Sequence, residues 1–139
     1  MSDEHIYYRS GYKHQLARDF QIKTNIYSSA DVDAEFISLD RAGNLLVKSG
    51  YAWDSTSGPV PDTHRNLRAS LVHDALYQLI RHRHLSRDRH KDKADRPFKR
   101  ICKQDGVVSP VAHAYYLALK TAGNSATDPK NIKEVKPAP

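Results

Sequence analysis

The sequence predicts an α+β fold: a small N-terminal antiparallel β-sheet, then three α-helices and a disordered C-terminal tail. Apolar and polar side chains alternate over residues 20–24 with the period of a half-buried strand. From residue 65 onward, apolar side chains recur at helical spacing instead. Strands followed by a run of helices are typical of α+β domains. The chain of 139 residues fits one such domain, predicted over residues 1–123, with a tail over residues 124–139.

The strands are predicted in three runs within the first half of the chain. Residues 12–26 carry apolar side chains at four positions: Leu16, Phe20, Ile22 and Ile26. Residues 35–39 and 44–48 are β-rich runs on either side of a turn that contains Gly43. Because glycine readily adopts positive φ, this turn fits a tight hairpin.

A loop is predicted over residues 54–62, since one glycine and two prolines among nine residues exclude regular structure. Asp54 begins this loop, and Ser55, Thr56 and Ser57 add further side-chain oxygens. Such a loop can ligate calcium or magnesium through its oxygens, or hold an anion through backbone N–H groups. The same residues are also ordinary in turns and helix caps, and this alternative stays open.

The central helix is predicted over residues 65–82, where apolar side chains cover more than half of the helical wheel. His73 and Tyr77 lie four residues apart and share one face, and Asp74 lies on the far side of this polar sector. Ionisable groups in so apolar a helix are costly without partners, which makes His73 and Asp74 the first candidates for chemistry. The alternative is a structural His–Asp or His–Tyr pair that fixes the helix to its neighbours.

The second helix is predicted from a Ser86 cap to about Gln104, with Gly106 just beyond its end. Pro97 lies inside this segment. Proline removes a helical hydrogen bond, so we expect a kink or a broken start, with residues 87–95 as a loop or frayed turn.

Asp95 borders the apolar face of the second helix and therefore needs a cationic or hydrogen-bond-donating partner. His73 is one candidate for that partner. A surface pair with Lys91 or Lys99, each four residues away, is the alternative. The sequence leaves both open.

The third helix is predicted to begin at Ser109 and Pro110, a cap followed by a first-turn proline. Its end is predicted at Gly123. Lys, Pro, Asp and Asn dominate beyond it, so little remains to be buried and a disordered tail is expected.

The chain is basic, with a net charge of +6, and the excess is concentrated in the second helix. Residues 81–103 hold ten Lys or Arg against three Asp. The stretch that begins at Arg81 and ends at Arg100 is therefore predicted to contact an acidic surface or nucleic acid. The histidines of this stretch lack the tight spacing of metal ligands, so a solvated basic face is the favoured interpretation.

The sequence excludes or disfavours four features: a disulfide framework, a cysteine-built zinc site, a membrane span and a secretory signal. A single cysteine, Cys102, excludes a disulfide framework and a cysteine-built zinc site. No apolar run reaches the roughly 20 residues that a membrane span needs. The polar, acidic N-terminus indicates no secretory signal, so synthesis in a cytoplasm is expected.

Three motifs, taken in order, resemble a known family: WDSTSGP at residues 53–59, HDALY at 73–77 and ADRPF at 94–98. From these three motifs the chain is identified as a member of domain-of-unknown-function family 1353, whose members are short phage and bacterial proteins. Ser55 and Thr56 depart from the family's usual loop. The resemblance implies a phage or prophage origin, synthesis in the host cytoplasm and other phage structural proteins as partners, with no settled activity.

A looser similarity joins the HDALY helix to the secreted phospholipases A2, whose active helix reads His-Asp-x-x-Tyr. This resemblance implies that His73 is the base, Asp74 a calcium ligand and Asp95 the residue that orientates His73. The loop at Asp54 corresponds in order to the calcium loop of those enzymes. Their glycine-rich loop and their disulfides are missing from this chain.

The leading hypothesis is a small hydrolase-like protein that acts on lipid or cell-wall material. His73, Asp95 and Tyr77 are its predicted catalytic residues, and Asp74 and Asp54 would hold a divalent cation, calcium or magnesium. The competing hypothesis is a non-enzymatic virion protein (tail or baseplate) or accessory protein, in which the same side chains form a structural network and the basic helix docks an acidic partner. A third hypothesis is a nucleic-acid-binding module. An accessible pocket at these residues favours the enzyme, and a sealed cluster favours the structural role.

Overall fold

The computed structural model describes residues 6, 8–9, 14–53 and 64–126, and in them short strands precede three helices. The strands are β1 (Tyr8–Arg9), β2 (His14–Leu16), β3 (Phe20–Lys23), β4 (Val32–Asp33), β5 (Ile37–Leu39), β6 (Asn44–Val47) and β7 (Ala52–Trp53). A short 3-10 helix (His64–Asn66) leads into α1 (Leu67–Arg81), which is followed by α2 (Arg87–Gln104) and α3 (Ser109–Ala126). The α+β prediction is confirmed. The predicted loop at residues 54–62 lies outside the described residues.

The strands form two small antiparallel sheets, where the sequence predicted one. Their strand orders are β1-β2-β7 and β3-β6-β5-β4. Beside the backbone bond from Gly50 N to the Leu16 carbonyl at 2.7 Å, side chains join the same two segments: Asp19 Oδ1 accepts from the backbone N of Ser49 at 2.7 Å, and Ser49 Oγ donates to the carbonyl of Ala17 at 3.1 Å.

The predicted hairpin joins β5 to β6, and its turn depends on Asp40 and Gly43. Asp40 Oδ1 accepts from the backbone N of Ala42 at 3.0 Å and of Asn44 at 2.9 Å. Gly43 has φ of 90°, the positive value that the sequence predicted for a glycine here. The hairpin register pairs Leu39 with Leu45 and turns both into the core.

The helix α1 is the central helix, as predicted, and is buried over most of its circumference. The predicted bounds, residues 65–82, exceed the observed helix by the 3-10 turn at one end and by one residue at the other. The α1 core side chains pack with those of the sheets and of α2 in one cluster. The largest fully buried members from these elements include Phe20, Phe98, Leu71, Leu76 and Leu79.

The helix α2 begins and ends where the sequence predicted, but it is not interrupted at Pro97. Ser86 Oγ accepts from the backbone N of Arg89 at 3.4 Å, and Gly106 follows the helix with φ of 101°. The expected loop or frayed turn over residues 87–95 is wrong, because these residues are helical. An interior proline costs about 3 kcal/mol, which burial of Ala94 and Phe98 against the core offsets.

The helix α3 begins at Ser109, as predicted, and runs on through Gly123 to Ala126. The end predicted at Gly123 is therefore wrong. Glycine inside a helix costs only about 1 kcal/mol relative to alanine, so it need not end the helix. Residues 127–139, most of the predicted tail, lie outside the described residues.

Candidate functional site

His73 on α1 and Asp95 on α2 face each other across the packed interface of these two helices. Both are buried: His73 is 4% exposed and Asp95 is 0% exposed. Tyr77, one helical turn beyond His73, is also buried on this side of α1. The helical periodicity of the sequence thus placed His73 and Tyr77 on the face that meets Asp95.

Both carboxylate oxygens of Asp95 are hydrogen-bonded. Oδ1 lies 3.0 Å from His73 Nε2 and also accepts from the Tyr77 hydroxyl. Oδ2 accepts from Lys91 Nζ at 3.1 Å. The sequence left a choice between His73 and a lysine four residues away, and in the structure Asp95 has both partners.

The contacts around Asp95 favour its ionised form. Burial alone would raise the pKa of this carboxyl. The hydrogen bonds from His73 and Tyr77, the charge of His73 and the hydrogen bond from Lys91 outweigh burial and hold the pKa below its ordinary value of 3.8. An ionised Asp95 accepts a hydrogen bond from His73 Nε2–H, so in the neutral imidazole the lone pair lies on Nδ1, on the opposite side of the ring.

The Nδ1 side of the His73 ring faces Asp74, the solvent-facing member of the cluster. His73 Nδ1 lies 3.9 Å from Asp74 Oδ1, and the Asp74 side chain is 30% exposed. Burial alone would lower the pKa of His73, but the nearby Asp74 carboxylate and the hydrogen bond and charge of Asp95 raise it above 6.5. The partly exposed edge of the cluster is therefore Asp74, next to the ring nitrogen that Asp95 does not use.

Two aromatic rings hold the His73 imidazole in place. The Tyr77 ring centroid lies 3.8 Å from that of His73, and Phe98 meets the imidazole edge-on at 5.8 Å. Burial and the neighbouring Asp95 carboxylate raise the pKa of Tyr77, so its hydroxyl stays protonated and acts as a donor. The imidazole therefore has little freedom to rotate away from Asp95.

The predicted cation ligands are only partly within the described residues. Asp74 is beside His73, whereas Asp54 and the rest of its loop lie outside them. Trp53, the residue before that loop, donates from Nε1 to Ser70 Oγ at 3.0 Å, one turn before His73 on α1. Within the described part of the chain, no group of three or more His, Cys, Asp or Glu could hold a metal ion.

Sequence reasoning missed the link between this cluster and α3. Lys91 Nζ, besides its bond to Asp95, donates to the backbone carbonyl of Lys120 at 3.0 Å. The i,i+4 spacing offered Lys91 as one of two lysines that could pair with Asp95, but no sequence signal points to a carbonyl on another helix. Lys91 therefore joins α3 to the His73–Asp95 pair.

The structure also bears on the membrane prediction. In the residues that it describes, none of the helices is long and apolar enough to cross a membrane.

A family model matches residues 30–119 of the chain, and its description reads "protein of unknown function (DUF1353)". The chain belongs to this family. The match includes the HDALY and ADRPF motifs, and with them His73, Tyr77 and Asp95. It confirms the family that the three motifs indicated. No curated protein and no solved structure shows significant similarity to the chain.

Proposed function

We propose that this member of the DUF1353 family is a hydrolase in which His73 is the general base. One observation carries the proposal: His73 Nε2 is bonded to Asp95 Oδ1 at 3.0 Å, while its other nitrogen faces the partly exposed Asp74. His73 itself is buried, but its second nitrogen lies next to a carboxylate that is 30% exposed, so a base held by Asp95 can take a proton from water that enters beside Asp74.

The reaction that suits this arrangement is ester hydrolysis. His73 Nδ1 takes a proton from water as the water oxygen bonds to the carbonyl carbon of the substrate. The ester C–O bond then breaks, and the imidazolium returns the proton to the leaving alkoxide. Asp95 stabilises the imidazolium meanwhile through Nε2, and general acid–base assistance of this kind is worth about 10²–10⁴-fold in rate.

Tyr77 and Lys91 act as positioning residues in this proposal. Each donates to Asp95, Tyr77 to Oδ1 and Lys91 to Oδ2, so the carboxylate cannot rotate away from His73. Neither needs to contact the substrate. Loss of either donor is expected to lower the rate by less than loss of His73.

A divalent cation, calcium or magnesium, is a further part of the proposal, because the resemblance to phospholipases A2 implies one at Asp74 with Asp54. Among the described residues Asp74 alone contributes a carboxylate to this position, so we route no step through the ion. Calorimetric titration with calcium, magnesium and zinc tests it on the wild type and on Asp74→Asn. A heat of binding that Asp74→Asn removes supports the cation, and an unchanged heat contradicts it.

The proposed substrate class is lipid or cell-wall material, in keeping with the phage or prophage origin that the motifs imply. The test measures ester hydrolysis by the protein with three kinds of substrate: short-chain esters, phospholipid vesicles and purified cell wall. His73→Gln is the decisive variant, since its amide can still donate to Asp95 but has no basic nitrogen. His84→Gln, at an exposed histidine, is the matched control.

We expect wild-type hydrolysis of at least one substrate, its loss in His73→Gln and its retention in His84→Gln. Full activity in a folded His73→Gln protein would contradict the assignment of His73 as the general base. Wild-type inactivity on every substrate class would do the same.

A second candidate function is a non-enzymatic virion or accessory protein, and the burial of His73, Tyr77 and Asp95 together is the observation that favours it. In that case the network specifies how α1, α2 and α3 pack. The two candidates differ in one measurement: a structural network predicts loss of unfolding free energy in network variants with no hydrolysis by the wild type.

A further inference from the structure

The outward face of α2 carries a row of cations, which we call the basic stripe: Arg89, Lys93, Arg96, Arg100 and Lys103. Its members follow one another at intervals of three or four residues, so they lie on one side of the helix. Four of them are exposed and Lys93 is half-buried. The stripe spans about 21 Å at 1.5 Å of rise per residue.

Among the described side chains, the carboxylates near this face have partners of their own. Asp92 accepts from the Tyr116 hydroxyl at 3.0 Å and pairs with Arg96 at 2.8 Å. Asp95 lies on the opposite, buried side of α2, where it contacts His73. Among the carboxylates whose side chains the structure describes, Asp92 alone pairs with a member of the stripe, and that member is Arg96.

The stripe also forms part of a surface cavity of about 350 Å³. Its lining comprises Arg96, Lys99, Arg100, Lys103 and Gln104. The exposed lining is mostly the aliphatic part of these side chains, and Lys99 Nζ lies 3.2 Å from His113 Nδ1, so the N–H donors for a phosphate group come from the charged ends of Arg96, Arg100 and Lys103. Arginine in particular forms paired hydrogen bonds with phosphate oxygens.

The chemistry of this face distinguishes a nucleic acid from a membrane. Surface helices that bind lipid combine cations with large apolar side chains that enter the bilayer. The large exposed apolar side chains in the described residues lie elsewhere than on α2: Tyr27, Val108, Val111 and Leu117. A face of cations without such side chains matches a phosphate backbone rather than a lipid interior.

We propose that the basic stripe binds the phosphate backbone of double-stranded DNA. Duplex DNA carries one charge per strand about every 3.4 Å, so a stripe of about 21 Å spans roughly six base-pair steps. The major groove is also wide enough to admit a helix. The contacts are to phosphates, so binding is independent of base sequence.

This binding surface is separate from the proposed hydrolytic site. His73 meets α2 on its buried side, at Asp95, whereas the stripe lies on the outward side. His73→Gln is therefore expected to bind DNA with wild-type affinity. Loss of hydrolysis and loss of DNA binding can be separated in the same set of variants.

The test is fluorescence anisotropy of a labelled 30-base-pair random duplex, titrated with the full chain at several salt concentrations. Five phosphate contacts predict a slope of about −4.5 for the logarithm of the binding constant against that of the salt concentration. The variant Arg96→Gln/Arg100→Gln/Lys103→Gln is expected to reduce this slope by about 2 to 3. Glutamine is a good helix former, and far-ultraviolet circular dichroism checks that α2 persists.

The matched control is Lys23→Gln/Arg41→Gln/Lys48→Gln, which removes the same charge from the sheet surface. We expect it to keep the wild-type slope. An equal loss in both triple variants would contradict the stripe, because net charge alone would then explain the binding. No duplex binding in about 50 mM salt, where phosphate contacts are strong, would overturn the proposal. Binding to anionic lipid vesicles through the stripe, without binding to DNA, would overturn it too.

Discussion

His73 and Asp95 are joined at 3.0 Å across two helices, at a point where the carboxylate has no contact with solvent. Removing one partner of such a pair leaves a buried charge with fewer donors. We expect His73→Ala to lower the free energy of unfolding by about 3 to 5 kcal/mol. Urea denaturation followed by circular dichroism measures it. His84→Ala, at an exposed position, should change stability by less than about 0.5 kcal/mol, and an equal effect of the two would contradict the role of the pair.

Tyr77→Phe isolates the hydroxyl that donates to Asp95, because the ring that packs on His73 remains. We expect a loss of about 1 to 3 kcal/mol of unfolding free energy, the cost of leaving a buried acceptor with one donor fewer. If the protein hydrolyses esters, the pH profile of the rate should also move, since Asp95 then holds His73 less firmly. Tyr27→Phe, at an exposed tyrosine, serves as the control. Unchanged stability and an unchanged profile in Tyr77→Phe would show that the hydroxyl does not support Asp95.

The His73–Asp95 pair predicts a stability that depends on pH. The pKa of Asp95 is lowered in the folded state, so its contribution is present above the unfolded pKa of 3.8 and is lost as the pH falls through the folded pKa. The pKa of His73 is raised, so its contribution is present below the unfolded pKa of 6.5 and is lost as the pH rises through the folded pKa.

In metal-free buffer, the stability difference between wild type and His73→Gln should therefore be larger at about pH 5.5 than at about pH 9. Urea denaturation at the two pH values measures it. A difference that grows toward alkaline pH would contradict the raised pKa of His73.

Gly43 and Gly50 both have positive φ, but an added Cβ meets different neighbours at the two positions. At Gly43 it would lie 2.6 Å from the backbone carbonyl oxygen of Thr24, a residue whose backbone N and hydroxyl both donate to the Gly43 carbonyl. At Gly50 it would lie 3.2 Å from the side chain of Phe36, which can adjust. We expect Gly50→Ala to cost about 1 to 3 kcal/mol from backbone strain, and Gly43→Ala to cost more. Thermal denaturation compares the two, and an equal loss would contradict the clash at Thr24.

The candidate site shows where sequence reasoning stopped. Helical spacing placed His73 and Tyr77 on one face and Asp95 at the border of the opposing apolar face. The sequence could not choose between His73 and a lysine four residues away, Lys91 or Lys99, as the partner of Asp95, because any of them can supply the donor that this carboxylate needs. In the structure His73 and Lys91 bind different oxygens of the carboxylate, so they do not compete.

The chain by itself determined those features that depend on residues close in sequence. The period of the strands, the Gly43 hairpin, the Ser86 cap and the α+β order all follow from local spacing and backbone preference. The prediction at Pro97 failed because local preference is worth only a few kcal/mol, which burial of neighbouring side chains exceeds.

Only the tertiary structure decided the contacts between residues distant in sequence. It divided the strands into two sheets, brought Lys91 to the Lys120 carbonyl of α3 and sealed Asp95 from solvent. Periodicity assigns a side chain to a face, whereas the helix that covers that face is fixed by packing of the whole core. Whether a His–Asp pair is buried or open to water is therefore a property of the assembled helices.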